Sequence, residues 1–198
     1  MLVTINKYGD PTLRHPRHAL KVSSAPSPKN WQAELLLRKH RQPLSVGCWN
    51  VCSMKCLTTQ SFIAGELLRY NIGIMCVSET RINGIVEGSE IRTPEDDASF
   101  SFFNSGSLDG SAYGGVGIIL SPLSAKSLLE WEPISHRVAR AQFKCHLFNI
   151  SVIVVYAPTR DAPESEADLF YQVLTCTLKK VPKRDLIFIG GDFNARIG

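Results

Sequence analysis

The sequence predicts an α/β fold, a two-sheet sandwich flanked by helices. Short apolar runs rich in β-branched residues recur from Leu44 onward, and two intervening stretches carry apolar residues at helical spacing. Glycine- and proline-bearing turns separate these runs, so strands and helices alternate and each can bury one face against a neighbouring layer. With 198 residues and 44% hydrophobic content, the chain can enclose one sizeable core.

Taken in order, residues 1–43 read as a basic extension, with Pro11, Pro16, Pro26 and Pro28, several serines and no strand periodicity. A short helix over Trp31–Arg41 would place Trp31, Leu35 and Leu36 on one face. Residues 44–198 form the folded part. Ser45–Asn50 is a strand ending in Trp49-Asn50. Ser61–Tyr70 is a helix with Phe62, Ile63, Leu67 and Leu68 toward the core. Gly73–Thr80 is an apolar strand ending in a lone carboxylate, Glu79.

Thr93–Ala112 reads as a loop, and its Glu95-Asp96-Asp97 run as a solvated turn, since adjacent carboxylates rarely converge on one ion. Gly106–Gly117 is a hairpin turn running into the strand Val116–Leu120. It has neither glycine pattern of a nucleotide-binding loop, so no small-molecule cofactor is expected. Arg137–Phe143 and Ile150–Thr159 are strands, the second ending in Tyr156-Ala157-Pro158. Glu164–Lys180 is a helix with Leu169, Phe170, Val173, Leu174 and Leu178 as its stripe and Lys179-Lys180 at its negative end; Val181-Pro182 stops it. Asp185–Ile189 reads as a buried strand. Gly190 and Gly191 then break it and deliver Asp192 and Asn194, two residues apart.

The formal charge of +4 is unevenly placed. Residues 1–43 hold eight basic and two acidic residues (+6), the remainder fourteen basic and sixteen acidic (−2). The folded part is therefore not a nucleic-acid binder by bulk charge; a solvated tail and a salt-sensitive DNA-binding arm are both open for the extension. No apolar run approaches the length of a membrane span. Met1–Tyr8 lacks the apolar stretch of a secretory signal, which implies an intracellular protein, nuclear or cytoplasmic, with reduced cysteines. Cys48, Cys52 and Cys56 recur every four residues, which is not the spacing of a zinc knuckle.

The polar residues at strand ends suggest chemistry, because a sheet holds such groups rigidly at a rim open to ligand. Asp192 is suited to take a proton from water and Asn194 to orient the attacking group. Glu79 is the best candidate metal ligand, and a hard oxygen ligand suits Mg2+ or Mn2+ with water completing the shell. Each has an ordinary alternative: Asn50 as a turn cap, Tyr156 as a core aromatic with a wet hydroxyl, Glu79 as a surface residue and the Gly-Asp-Phe-Asn tail as a plain turn. Arg140 is carried as a phosphate contact, against a surface charge on an edge strand.

Five segments in order, Cys48-Trp49-Asn50, Ser78-Glu79-Thr80, Gly114-Gly115-Val116-Gly117, Tyr156-Ala157-Pro158-Thr159 and Gly191-Asp192-Phe193-Asn194-Ala195-Arg196, resemble the endonuclease/exonuclease/phosphatase superfamily. The wording is most like the nuclease domains of non-LTR (RTE-type) retrotransposons and the craniofacial development protein 2-like group. The resemblance runs from about Leu44 to Gly198 and implies a DNase I-like fold and a Mg2+- or Mn2+-dependent DNA endonuclease. It assigns metal binding to Glu79 with Asn50 beside it, a hydrogen bond to phosphate to Tyr156, and orientation or deprotonation of water to Asp192, held by Asn194.

Two departures follow. Cys52 stands where abasic-site enzymes of the superfamily carry an acidic residue. Members also continue past this tail to a Ser-Asp-His motif, and none of His15, His18, His40, His136 and His146 lies in that context. The resemblance therefore implies a C-terminally truncated domain with an exposed apolar sheet edge and impaired activity. A non-catalytic relic acting as an interaction module stays open beside the nuclease, as does a ribonuclease or phosphatase on the same scaffold. Oligomeric state is not encoded in any of these features.

Overall fold

A computed structural model describes residues 2–5, 44–93, 98–110 and 113–195. Ten strands and three helices are assigned among them. The strands are β1 (Leu2–Ile5), β2 (Val46–Asn50), β3 (Ile74–Ser78), β4 (Ile85–Arg92), β5 (Ser99–Ser105), β6 (Val116–Leu120), β7 (Leu128–Ser135), β8 (Val138–Phe143), β9 (Ile150–Tyr156) and β10 (Leu186–Asp192). The helices are α1 (Leu57–Arg69), α2 (Pro122–Ser127) and α3 (Glu164–Lys180). One six-stranded sheet has the order β1-β2-β3-β6-β5-β4, and a four-stranded sheet has β10-β9-β8-β7.

The inner faces of the two sheets meet in a core of Cys48, Ile74, Cys76, Ile118, Leu120, Ala139, Ala141, Val152 and Val154. Helix α1 covers the outer face of the larger sheet through Ile63, Ala64 and Leu67, and α3 covers that of the smaller through Phe170 and Leu174. The architecture is thus the α/β two-sheet sandwich that the alternation of runs predicts. Strands β3, β6 and β9 are buried along nearly their whole length, which is why they read as continuous apolar runs.

Several local expectations need correction. The strand β1 lies within the stretch read as an extension and pairs in parallel with β2. Helix α1 begins four residues before Ser61, where Thr58, Thr59 and Gln60 carry no apolar stripe. Its inward line is Ile63, Ala64 and Leu67, while Phe62 is 60% exposed and Leu68 also faces out. Asn71 follows the helix with φ 50°, a left-handed stop of the kind asparagine tolerates. In α3 the inward line is Phe170, Leu174 and Thr177, with Leu169 facing solvent.

The supposed loop after Thr93 contains β5, whose Phe100, Phe102 and Asn104 alternate inward. The hairpin reading of Gly106–Gly117 holds, since Ser105 pairs with Val116 in antiparallel register. Trp31–Arg41, Glu95-Asp96-Asp97 and Arg196 lie outside the described residues.

The last strand differs most. Its glycines do not break it: Gly190, Gly191 and Asp192 pair with Val154, Val155 and Tyr156 of β9. Glycine is required at 191, where φ is 140° and a Cβ would sit 1.9 Å from the Val155 carbonyl oxygen. Nor is the strand buried. Among the described residues it pairs with β9 alone, and Leu186 and Ile187 are half or more exposed.

Candidate active site

The C-terminal ends of β2, β3, β9 and β10 meet at one rim, and each contributes a polar side chain there. Asn50 ends β2 and Glu79 follows β3, so both come from the larger sheet. Tyr156 ends β9 and Asp192 ends β10, so both come from the smaller. Residues far apart in sequence converge because β2–β3 and β9–β10 are parallel pairs whose ends point the same way.

Asn50 joins the two halves. Its Nδ2 donates to Glu79 Oε1 at 2.7 Å and to Asp192 Oδ2 at 2.9 Å. Its Oδ1 accepts from the Cys52 backbone N–H at 3.1 Å. Asn50, expected beside Glu79 as a metal ligand, has its donor end between the carboxylates and its oxygen on the turn. Here it positions the two acids and offsets their mutual repulsion. Asp192 Oδ1 accepts the Asn194 backbone N–H at 2.8 Å, and Asn194 Nδ2 is anchored on the Ala157 carbonyl at 2.6 Å. The Tyr156 hydroxyl lies near Glu79 and Asp192. Burial first, then the Glu79 and Asp192 carboxylates, hold that hydroxyl above the ordinary tyrosine range, with Arg137 opposing.

The backbone is strained around this cluster. Of five described non-glycine residues with positive φ, four are Cys52 (57°), Glu79 (55°), Arg81 (55°) and Asn194 (47°). Such a conformation costs about 1–3 kcal/mol per residue and persists only where the surroundings over-determine it. They do so at Glu79–Arg81. Buried Thr80 donates to Asn104 Oδ1 at 2.6 Å, its N–H bonds Gly115 O, and the Arg81 N–H bonds Gly114 O. Asn104 in turn donates to Ile82 O and Gly84 O. A Cβ on Gly115 would lie 2.2 Å from Thr80 Oγ1, so the double glycine just before β6 lets the turn close.

Sequence reasoning missed several of these supports. Arg81 pairs with Glu79 Oε2 at 3.1 Å. Arg137 lies over the Tyr156 ring at 5.2 Å, donates to the Tyr156 carbonyl and pairs with Glu166 of α3. His136 is close to Gly114 on the same side as Tyr156. Burial and the Arg137 charge lower its pKa, against Asp109 and Glu166. The available signal for Asn104 was its place on the inward line of Phe100 and Phe102, a polar residue where the alternation calls for an apolar one. Arg81 and Arg137 carried none beyond adjacency to a strand end.

Arg140, expected as a phosphate contact, is not brought to this rim. It lies on an interior strand, 7% exposed, with Nε on Glu132 Oε2 at 2.8 Å and Nη2 on Glu130 Oε2 at 2.6 Å, both from β7. A groove of about 660 Å³ also lies elsewhere. It opens at the N-terminal ends of β2 and β3 between Leu44, Gly73 and Leu123.

The donor set fits a hard divalent cation. The groups that converge are two carboxylates and a phenol, all oxygen, and Mg2+ is commonly held by one or two carboxylates with water and substrate oxygens completing the shell. Among the described residues no group of three His, Cys, Asp or Glu is gathered for a metal, so a closed zinc site is not built here. Nor is any described helix long and apolar enough to cross a membrane.

No family model matches the chain. Craniofacial development protein 2 of Bos taurus is 32% identical over 165 residues, covering 83% of the chain. An AP endonuclease of Archaeoglobus fulgidus superposes with a TM-score of 0.52 at 23% identity, over 77% of this chain and 58% of that one. The fold is that of the endonuclease/exonuclease/phosphatase superfamily. A D. rerio TDP2 complexed with single strand DNA product gives a TM-score of 0.54 at 18% identity, over 78% of this chain and 62% of that one. The endonuclease domain of TRAS1, a telomere-specific non-LTR retrotransposon, gives 0.51 at 16%, over 78% and 62%. The chain spans about a quarter (26%) of the length of the Bos taurus relative. It is thus a homologue of part of craniofacial development protein 2, with a sandwich built like those of superfamily nucleases.

Proposed function

We propose that the chain is the metal-binding part of a Mg2+- or Mn2+-dependent phosphodiesterase that nicks DNA, of the type found in non-LTR retrotransposons. The observation that carries this is the pair of carboxylates, Glu79 and Asp192, drawn from different sheets and bridged by one Asn50 amide at 2.7 and 2.9 Å. Phosphodiester hydrolysis needs an activated water and neutralisation of the anionic phosphate. Asp192 takes the proton of the attacking water, its orientation set by Asn50 and the Asn194 N–H. Glu79, with Asp192 near it, would hold the cation, which would offset the charge on the phosphate. Tyr156, kept protonated, donates to a phosphate oxygen. The P–O3′ bond breaks and leaves a 3′-hydroxyl.

The homology to craniofacial development protein 2 and the likeness to an AP endonuclease, a retrotransposon endonuclease domain and a TDP2 complexed with DNA product support this reading. The test is nicking of supercoiled plasmid by the chain in Mg2+, and its loss in Glu79→Ala and Asp192→Ala. Nicking that survives both substitutions overturns the assignment. A second reading, a non-catalytic interaction module, is favoured by one feature, the exposed apolar edge of β10. DNA retention without turnover at any divalent-ion concentration selects it.

A further inference from the structure

Glu79 has two oxygens with different neighbours. Oε1 accepts from Asn50, inside the cluster, and Oε2 faces the Arg81 guanidinium at 3.1 Å. The Glu79 side chain is only 12% exposed, but that of Arg81 is 44% exposed, so the carboxylate forms the floor and the guanidinium the rim. The Arg81 backbone is fixed: its N–H bonds the Gly114 carbonyl at 2.9 Å, and the preceding Thr80 is fully buried. A rigid anchor with a solvent-facing head leaves the side chain as the one part free to swing.

We infer that Arg81 is the exchangeable counter-ion of this site. It neutralises Glu79 in the metal-free protein, is displaced when a divalent cation takes the carboxylate, and then binds a phosphate of the nucleic-acid strand. This rests on the metal-dependent reading and adds a residue to it. A guanidinium and a divalent cation repel each other and compete for the same carboxylate oxygen. Once released, the guanidinium is a planar donor matched to phosphate, at the mouth where the strand would enter. Metal loading thereby creates a second positive contact for substrate, so cation and DNA bind cooperatively although Arg81 opposes the cation alone.

The test is direct binding on the full chain, with Mn2+ as the probe and free Mn2+ read by electron paramagnetic resonance. Arg81→Asn removes the charge and keeps a residue that tolerates left-handed φ; Arg81→Lys keeps the charge. Arg81→Asn is expected to tighten Mn2+ about two- to five-fold, the scale of a half-exposed ion pair, with Arg81→Lys near wild type. Binding of a short DNA duplex with Mn2+ present, in an Asp192→Asn background that blocks cleavage, is expected to weaken on adding Arg81→Asn. The slope of log affinity against log salt should shrink by about one. Unchanged or weaker Mn2+ binding in Arg81→Asn, or an unchanged salt slope, overturns the inference. If the wild type binds no Mn2+, or Glu79→Gln binds it equally well, the metal-dependent reading falls, and this inference with it. If Glu79→Gln abolishes binding and Arg81→Asn changes nothing, only the role of Arg81 falls.

Discussion

Cys48 and Cys76 are register partners across the β2–β3 pair, and their sulfur atoms form the floor under Gly190, two residues before Asp192. A methyl group at 190 would lie 2.6 Å from Cys48 Sγ, 2.8 Å from Phe188 Cε1 and 3.2 Å from Cys76 Sγ. Gly190→Ala should therefore destabilise the chain by about 1–3 kcal/mol, as overpacking does. Cys48→Ala opens room for that methyl, so the double variant should lose less than the two single losses combined. Urea unfolding of the four proteins measures this, and strict additivity would contradict it.

Tyr156 sets an alkaline limit. Burial, with Glu79 and Asp192, raises its pKa in the folded chain above the unfolded value of about 10. The folded state therefore holds the phenolic proton more tightly. The resulting stability is fully present below about pH 10 and is lost as pH rises through the folded value. Unfolding free energy followed from pH 8 to 11 should fall at the upper end, and Tyr156→Phe should flatten that fall.

Arg140 should matter for stability and not for substrate. Arg140→Met removes both ion pairs to β7 and is expected to cost about 1–3 kcal/mol, since Glu130 and Glu132 retain contact with water. Burial works to raise the Glu132 carboxyl, but Arg140 and Lys180 outweigh it and hold it below its ordinary value. The contribution of Glu132 is thus present at neutral pH and lost as the pH falls below about 4, where the difference between wild type and Arg140→Met should narrow. DNA affinity and its salt slope should be the same in both proteins, measured by fluorescence anisotropy. A reduced slope would return Arg140 to the substrate.

The outer side of β10 should self-associate. Leu186 is 58% and Ile187 50% exposed on a strand that pairs on one side only, and an apolar open edge is a template for another chain. Sedimentation velocity of the chain should show concentration-dependent association, reduced by Ile187→Lys. A monomer at all concentrations would show that this edge is protected.

The layered fold and the convergence of the site were legible in the sequence because both follow from strand ends. Asn50, Glu79, Tyr156 and Asp192 each close an apolar run, and parallel pairing carries those ends to one side. The strand β5 was hidden because Ser99, Ser101 and Ser105 dilute the apolar alternation of Phe100 and Phe102, so the stretch reads as polar loop. The surroundings of Arg140 were hidden because a charge in a strand suggests an edge, and only the register with β7 reveals the two carboxylates beside it. Arg81 was invisible for a related reason: its partner is two residues away, and nothing in the spacing says that the backbone turns left-handed between them.

The Asn50–Asp192 hydrogen bond spans 142 residues and crosses from one sheet to the other. Neither sheet holds a complete set of reacting groups, so a chain still emerging, half-unfolded or clipped between the layers has nothing with which to cut. For a protein whose proposed chemistry damages genetic material, that division acts as a safety interlock. On that reading the site is assembled only when the two layers are docked, and their loosening takes it apart.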